Sequence, residues 1–215
     1  MASRFLLRRI LSPSYAQSVR DGYTFERLRA LGFPTINTGC PTLWGLTPSL
    51  CHTIPAEKSA AVLLTFTEYN QAPEADKLLF ECLAKRYSKI YFWPQMYGDY
   101  AYARKLCGNA LEIVPPSLEA LDDLLRGESL DFVGTRLHAG IRALQHRRRA
   151  IIIAVDNRAL EMAADFNLPV LHRNDIATQL ERRIETSWKT EVRLGAQAIE
   201  TWKRQFTGIT ATPAM

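Results

Sequence analysis

The sequence predicts an α/β protein built on a Rossmann-like parallel sheet with helices on both faces. Short apolar runs of strand length recur from about residue 59 onward, and amphipathic helical stretches separate them. These helical stretches have about ten to fifteen residues, the spacing typical of βαβ units. The apolar runs are nearly continuous, as expected for parallel strands that helices cover on both sides.

Predicted strands and helices alternate after residue 59. The strands are expected at 60–67, 89–94, 111–114, 130–135, 150–155 and 169–173. The helices are expected at 73–87, 99–107, 117–127, 136–148, 157–166, 174–185 and 188–205. Pro73 suits the first turn of a helix because acidic residues follow it. Ser117 suits an N-cap and Gly127 a C-terminal stop.

The first 58 residues are shorter and less regular in pattern. They predict an N-terminal helix, a strand at 17–20, a helix at 23–32 and a strand at 34–37, followed by a loop. This order resembles the end of an α/β unit whose beginning is absent. We therefore predict two domains, the end of an N-terminal α/β domain at 1–58 and a second α/β domain at 59–215.

Composition sets limits on the class of protein. The chain has 215 residues, of which 47% are hydrophobic and 23% charged, and these are ordinary values for a globular protein. A net charge of +5 is too small to indicate nucleic-acid binding, but it favours an anionic substrate. The four cysteines form no C-x-x-C pair, which argues against zinc-finger and redox motifs. No apolar run approaches the roughly 18 residues of a membrane span.

Several well-known active-site motifs are missing from the sequence. It contains no G-x-G-x-x-G, no G-x-x-x-x-G-K-[ST] and no H-E-x-x-H. It also lacks the G-x-S-x-G elbow of serine hydrolases. The signatures of dinucleotide binding, of P-loop nucleotide binding and of zinc proteases are therefore absent.

Basic residues follow three of the predicted strands. Arg136 and His138 come after the strand at 130–135, and Arg158 comes after the strand at 150–155. Ligands of open parallel sheets bind beyond the carboxyl ends of the strands, where helix N-termini present free N–H groups. Arginine binds carboxylate and phosphate through two parallel hydrogen bonds, and histidine exchanges protons near neutral pH. Arg20 similarly ends the strand at 17–20.

Each of these residues also has a structural interpretation. Arg136 could begin a helix and pair with an acid, His138 could be an ordinary first-turn residue, and Arg20 could pair with its neighbour Asp21. The run "HRRR" at 146–149 resembles a nucleic-acid patch. Cations at a helix C-terminus complement the helix dipole, so we expect this run to be a solvated helix end.

Four blocks of sequence resemble the polysaccharide pyruvyl transferase family. They are "SVRDGYTFERLRALGF", "NTGCPTLW", "KIYFWPQMYGDYAYARKL" and "FVGTRLHAGIRALQHRRRAIIIAVDNRA". The family signature is an R-x-H after a strand, followed by a helix, another strand and a basic residue. The resemblance extends from about Ser18 to Arg173.

The resemblance implies a two-domain architecture similar to GT-B glycosyltransferases. Residues 59–215 would be the second domain, and residues 1–58 the end of the first. Members of the family begin with most of a first α/β domain, including an opening motif with glycine and asparagine that this sequence lacks. Three explanations remain open: the sequence is truncated, its reading frame begins late, or a partner or oligomer completes the N-terminal domain.

The resemblance also implies a reaction. Family members transfer the enolpyruvyl unit of phosphoenolpyruvate to two sugar hydroxyls, which gives a cyclic ketal and releases phosphate. The family's R-D pair falls on Arg20, and its R-x-H falls on Arg136 and His138. Arg158 stands where the family usually has lysine. His138 is then the candidate proton donor, and the three arginines are the candidate substrate-binding residues.

The expected partners follow from this reaction. They are phosphoenolpyruvate as donor substrate and a saccharide acceptor, free or lipid-linked, in exopolysaccharide biosynthesis, with no metal ion, no cofactor and no nucleic acid. The expected location is the cytoplasm or the inner face of the membrane. Two alternatives remain open: a nucleotide-sugar glycosyltransferase of GT-B type, and a non-catalytic truncated module that acts through protein contacts.

Overall fold

A computed structural model of the chain describes residues 2–207, with side chains from residue 5 onward. The strands, labelled β1 to β8 in chain order, are Gln17–Val19, Thr35–Asn37, Ala61–Thr65, Lys89–Phe92, Glu112–Ile113, Leu130–Gly134, Ala150–Ala154 and Val170–His172. The α-helices, labelled α1 to α10, are Ala2–Ile10, Gly22–Ala30, Pro48–His52, Pro73–Ala84, Tyr97–Cys107, Leu118–Gly127, Leu137–Gln145, Asn157–Phe166, Glu181–Glu185 and Ala196–Arg204.

The chain forms two compact units. The larger unit is Gly45–Val192, and the smaller one combines the residues up to Trp44 with those from Arg193 onward. The domain prediction placed the division later, between residues 58 and 59. It also placed the C-terminal segment in the second domain, whereas the structure groups the residues from Arg193 onward with the smaller unit.

The larger unit contains one parallel sheet of six strands in the order β5-β4-β3-β6-β7-β8. The chain begins in the middle at β3, moves outward to β5, and then crosses to β6 on the other side of β3. The strand order therefore reverses between β3 and β6, which makes that pair the topological switch point. Helices flank the sheet, and this confirms the predicted Rossmann-like α/β fold class.

The three central strands are buried on both faces. Every residue of β3, β6 and β7 is buried. Since neighbouring side chains of a strand point to opposite faces, both faces of the sheet must be covered. One face packs Val62 and Leu64 of β3 against Leu79 and Leu83 of α4 and Leu180 of the segment before α9. This burial explains why the strands read as continuous apolar runs.

Two glycines of the "FVGTRLHAG" stretch allow close backbone packing around β6. A Cβ atom on Gly140 of α7 would lie 2.4 Å from Cγ1 of Ile152 in β7. A Cβ atom on Gly134 would lie 2.7 Å from the backbone nitrogen of Thr65 in β3. Real Cβ atoms do not approach this closely. Glycine at these two positions therefore allows α7 to pack closely on β7, and the end of β6 to lie close to β3.

The run at 146–149 is not entirely a solvated helix end, and that expectation is wrong for Arg149. The Arg149 side chain is buried, and its Nη1 donates to Oδ2 of Asp131 at 3.0 Å. Its Nη2 donates to three backbone carbonyls, among them that of Ile184 at 2.8 Å. A carboxylate inside an apolar strand requires a partner, and Arg149 and the hydroxyl of Tyr87 provide it. The pair lies before β7, near the amino edge of the sheet.

The smaller unit contains a parallel pair of short strands. β1 pairs with β2, with Ser18 opposite Ile36. The C-terminal helix α10 is tied to this unit because Nε1 of Trp202 donates to the backbone oxygen of Ala16 at 3.0 Å. The Trp202 ring also lies 5.1 Å from that of Phe206.

Most predicted elements occur within a few residues of their expected bounds. Ser117 caps α6 as predicted, with its hydroxyl accepting from the backbone nitrogen of Ala120 at 3.1 Å. The last predicted helix is too long at its start, since α10 begins only at Ala196. The preceding segment is held elsewhere: the backbone nitrogen of Trp188 donates to the carbonyl of Ala56 at 3.2 Å.

Candidate functional site

A cavity of about 180 Å³ lies at the carboxyl edge of the sheet, next to the topological switch point. Segments that follow β3, β4, β6 and β7 form its walls. The lining residues are Tyr69, Gln95, Thr135, Arg136, Leu137, His138, Ile153, Val155, Asp156, Arg158 and Ala159. Open α/β sheets bind their ligands at this position. The sequence-predicted residues Arg136, His138 and Arg158 therefore share one cavity.

Arg136 lies between β6 and α7, and its side chain is almost completely buried. Its Nη2 contacts both carboxylate oxygens of Asp99 at 2.5 Å. Its Nε donates to the backbone oxygen of Phe66 at 3.1 Å. The side chains of Arg136 and Asp99 are 11% and 1% exposed, so this ion pair is shielded from water. Only Nη1 of the guanidinium makes no hydrogen bond to residues in the described part of the chain.

Asp99 joins the loops that follow three strands. Besides Arg136, its carboxylate accepts from the backbone nitrogens of Glu68 at 2.9 Å, Gln95 at 3.1 Å and Met96 at 3.2 Å. A carboxylate has about four lone-pair positions, and these contacts use them. Sequence reasoning missed Asp99. The available signal was an acid in the first turn of a helix, where it can reach back to the N-cap backbone.

Arg158 lies in the first turn of α8 and is paired at the surface. Its Nη2 and Nε donate to Oδ2 of Asp156 at 2.5 and 3.0 Å. Asp156 is the N-cap of α8, and its Oδ1 accepts from the backbone nitrogen of Arg158 at 3.0 Å. The hydrogen bond from Arg158 lowers the pKa of Asp156, and the same bond raises the pKa of Arg158. The two side chains are 40% and 30% exposed.

Tyr69 contacts both arginines of the cavity. Its hydroxyl accepts from Nη2 of Arg158 at 2.8 Å. The Arg136 guanidinium carbon lies 5.3 Å from the centre of its ring, within cation–π range. Sequence reasoning missed Tyr69 as well, because nothing in the polar turn after β3 distinguishes it from a loop residue.

His138 is the second residue of α7 and is exposed at the cavity. The N-cap of α7 is Arg136, whose side chain does not cap the helix. A helix N-terminus of this kind carries partial positive charge and favours anions. A histidine and a helix N-terminus therefore occur in the same turn.

Arg20 belongs to the smaller unit, where it follows β1. Its Nε donates to Oδ2 of Asp21 at 3.1 Å, and the Arg20 side chain is 47% exposed. Asp21 caps α2 by accepting from the backbone nitrogen of Thr24 at 2.7 Å. The local arrangement resembles that of Asp156 and Arg158, because a capping aspartate pairs with an adjacent arginine. A role of Arg20 at the cavity stays a prediction.

The described residues contain neither a cluster of metal-ligating side chains nor a membrane-spanning helix. Between residues 2 and 207, no group of three or more histidine, cysteine, aspartate or glutamate side chains could hold a metal ion. Within the same range, no helix is both long enough and apolar enough to cross a membrane.

Comparison with known proteins decides the family. The family model for polysaccharide pyruvyl transferase matches residues 1–157. The chain belongs to the polysaccharide pyruvyl transferase family. Membership indicates a transferase with a saccharide acceptor, and it confirms the resemblance seen in the four sequence blocks. Comparisons with curated proteins and with solved structures gave no match.

The matched region of this pyruvyl transferase family member includes most of the candidate site. Arg20, Arg136 and His138 lie within the match, as do Tyr69 and Asp99. The match ends at residue 157, immediately before Arg158. The assignment of Arg158 to the site therefore rests on the geometry of the cavity.

Proposed function

We propose that this protein transfers the pyruvyl group of phosphoenolpyruvate to two hydroxyls of a saccharide and forms a cyclic ketal. The observation that carries the proposal is the cavity at the switch point, where His138, Arg136 and Arg158 meet in a member of the family. Phosphoenolpyruvate is the donor substrate, and no resident cofactor or metal ion is part of the proposed reaction.

The electrostatics of the cavity suit a small dianion. Phosphoenolpyruvate carries a carboxylate and a phosphate, and both groups require hydrogen-bond donors. The partly exposed guanidinium of Arg158 and the Nη1 group of Arg136 supply such donors. Because Asp156 is also partly exposed, a ligand anion can replace it as a partner of Arg158 without breaking a buried pair.

Cavity size favours this donor over a nucleotide sugar. Pockets that enclose drug-sized ligands have volumes of roughly 300–1,000 Å³. The cavity of about 180 Å³ is smaller than that range and suits a three-carbon phosphoester. A nucleoside diphosphate would have to extend well outside it.

His138 is proposed as the proton donor. Protonation of the methylene carbon of phosphoenolpyruvate converts the central carbon into a cation that a first sugar hydroxyl attacks, releasing its proton. A second hydroxyl of the same sugar then forms a bond to that carbon, while the bond from the carbon to the phosphate oxygen breaks, and inorganic phosphate leaves with the proton of that hydroxyl. The histidine suits the first step because histidine is the side chain that most often serves as general acid or base in enzymes. The arginines stabilise the charge on the departing phosphate.

The location of the reaction follows from its donor. Phosphoenolpyruvate is a cytoplasmic metabolite, so we infer that the protein works in the cytoplasm or at the inner face of the membrane. Arg20 remains proposed as a further contact to the donor, based on its place in the family's R-D pair.

The test compares wild type with His138→Ala in two assays, ketal formation on a saccharide acceptor and titration with phosphoenolpyruvate. Loss of the acid should reduce ketal formation by about 100-fold to 10,000-fold. Phosphoenolpyruvate binding should change little, because it rests on arginine donors. UDP-sugar titration is the specificity control. Full activity of His138→Ala, or binding of UDP-sugars in place of phosphoenolpyruvate, would contradict the proposal.

A further inference from the structure

Tyr69 is exposed, yet the turn that carries it is fixed at both sides. Tyr69 is 62% exposed. The preceding residue, Glu68, is held because its backbone nitrogen donates to Asp99 at 2.9 Å. The following residue, Asn70, is held because its Nδ2 donates to the backbone oxygen of Val155 at 2.6 Å. These two hydrogen bonds fix the backbone on both sides of Tyr69 and give its ring a defined position.

A buried ion pair supports the same turn from behind. Nη2 of Arg173 donates to the backbone oxygen of Asn70 at 2.7 Å. That nitrogen also lies 3.6 Å from Oδ1 of Asp76, and the two side chains are 10% and 1% exposed. Asp76 is itself held by the hydroxyl of Tyr102 at 2.7 Å. The turn after β3 is therefore tied to the ends of β7 and β8.

The hydroxyl of Tyr69 has a proton to donate. It accepts a hydrogen bond from Arg158, so its own O–H is not needed for that contact. Tyr69 lines the cavity, and the neighbouring guanidinium of Arg158 strengthens its hydroxyl as a donor to an anion. The ring is kept in place by the Arg136 guanidinium, 5.3 Å from its centre.

We propose that Tyr69 is a substrate-binding residue whose hydroxyl donates to the same anionic group that Arg158 holds. The inference rests on the proposed function and adds a contact to its donor site. Tyr69 and Arg158 then form a pair of donors on one oxyanion, one from the loop after β3 and one from the loop after β7. The rival interpretation is that Tyr69 only orients Arg158.

The experiment is a phosphoenolpyruvate titration of the full chain and of Tyr69→Phe, which keeps the ring and removes the hydroxyl. Loss of a hydrogen bond to a charged group should weaken binding by about ten-fold to a hundred-fold. Tyr100→Phe is the matched control, because its hydroxyl also accepts from an arginine, Nε of Arg104 at 3.1 Å, but does not line the cavity. The control should bind like wild type.

A double variant separates the two interpretations. If Tyr69 donates to the ligand, Tyr69→Phe should still weaken binding when Arg158 is already Gln. If Tyr69 adds nothing in that background, it acts only through Arg158 and the inference is wrong. Equal binding by wild type and Tyr69→Phe would also overturn the inference while leaving the proposed function intact. Absence of binding to wild type would overturn both.

Discussion

An arginine at the start of α7 and another at the start of α8 line the same cavity, but the two arginines are held in different ways. Arg136 contacts both oxygens of a buried carboxylate, Asp99. Arg158 pairs with Asp156 at the surface, where both side chains are partly in water. The residue types and the strand-to-helix setting are alike, and the difference lies in burial and in the partner.

Burial decides what each pair can do. Breaking a buried pair leaves an uncompensated charge and costs several kcal/mol, so Arg136 is fixed in place. A surface pair contributes little, about 0–1 kcal/mol, so Arg158 can exchange its partner for a ligand. We therefore propose that Arg136 mainly builds the cavity, with Nη1 as its contact to the ligand, and that Arg158 mainly binds the ligand.

The largest expected effect on stability is that of Asp99→Ala. The substitution removes the partner of Arg136 and leaves three backbone N–H groups without their acceptor. The free energy of unfolding should fall by about 3–5 kcal/mol. Urea denaturation measures it, and Asp123→Ala is the control, because Asp123 forms an exposed pair with Arg126. A loss below about 1 kcal/mol would show that the buried pair is not structural.

A smaller loss is expected for Arg136→Lys. Lysine keeps the charge, but it cannot contact Asp99 and the carbonyl of Phe66 together in the fixed geometry of a guanidinium. The free energy of unfolding should fall by about 1–3 kcal/mol. Urea denaturation and phosphoenolpyruvate titration should both be measured on this variant and on wild type. Weakened binding with unchanged stability would reverse the assignment and make Arg136 primarily a ligand contact.

The smallest effect on stability is expected for Asp156→Asn. Asparagine is as good an N-cap as aspartate, so the free energy of unfolding should change by less than about 0.5 kcal/mol. The substitution removes the anion that competes for Arg158, and phosphoenolpyruvate binding should tighten by up to about five-fold. The measurement is a titration at constant ionic strength. Weaker binding would mean that Asp156 orients Arg158 for the ligand and does not compete with it.

The sequence predicted the residues that follow strands, because the carboxyl ends of parallel strands meet at one edge. That rule located Arg136, His138 and Arg158 without any knowledge of contacts. It could not find Asp99 or Tyr69, since their roles depend on contacts between loops far apart in sequence. Tyr69 in particular looks like any aromatic residue in a turn.

Arg149 shows the opposite difficulty. An arginine after a helix usually lies in water, where it complements the helix dipole. Here the decisive feature is Asp131, a carboxylate within the apolar run of β6, which draws the arginine into the core. A charge inside a buried strand predicts that a partner exists, but it does not say which of several nearby arginines that partner is.

The most direct test of the proposal that Arg158 binds the donor in this cavity is a phosphoenolpyruvate titration of wild type, Arg158→Gln and Arg126→Gln. Arg126 is a matched control, because it also forms an exposed pair with an aspartate but does not line the cavity. We expect Arg158→Gln to weaken binding by about ten-fold or more, since the ligand anion loses a charged donor, while stability changes by less than about 1 kcal/mol. Arg126→Gln should bind like wild type. If Arg158→Gln binds phosphoenolpyruvate as tightly as wild type does, Arg158 is not an anion contact and the cavity is not the donor site.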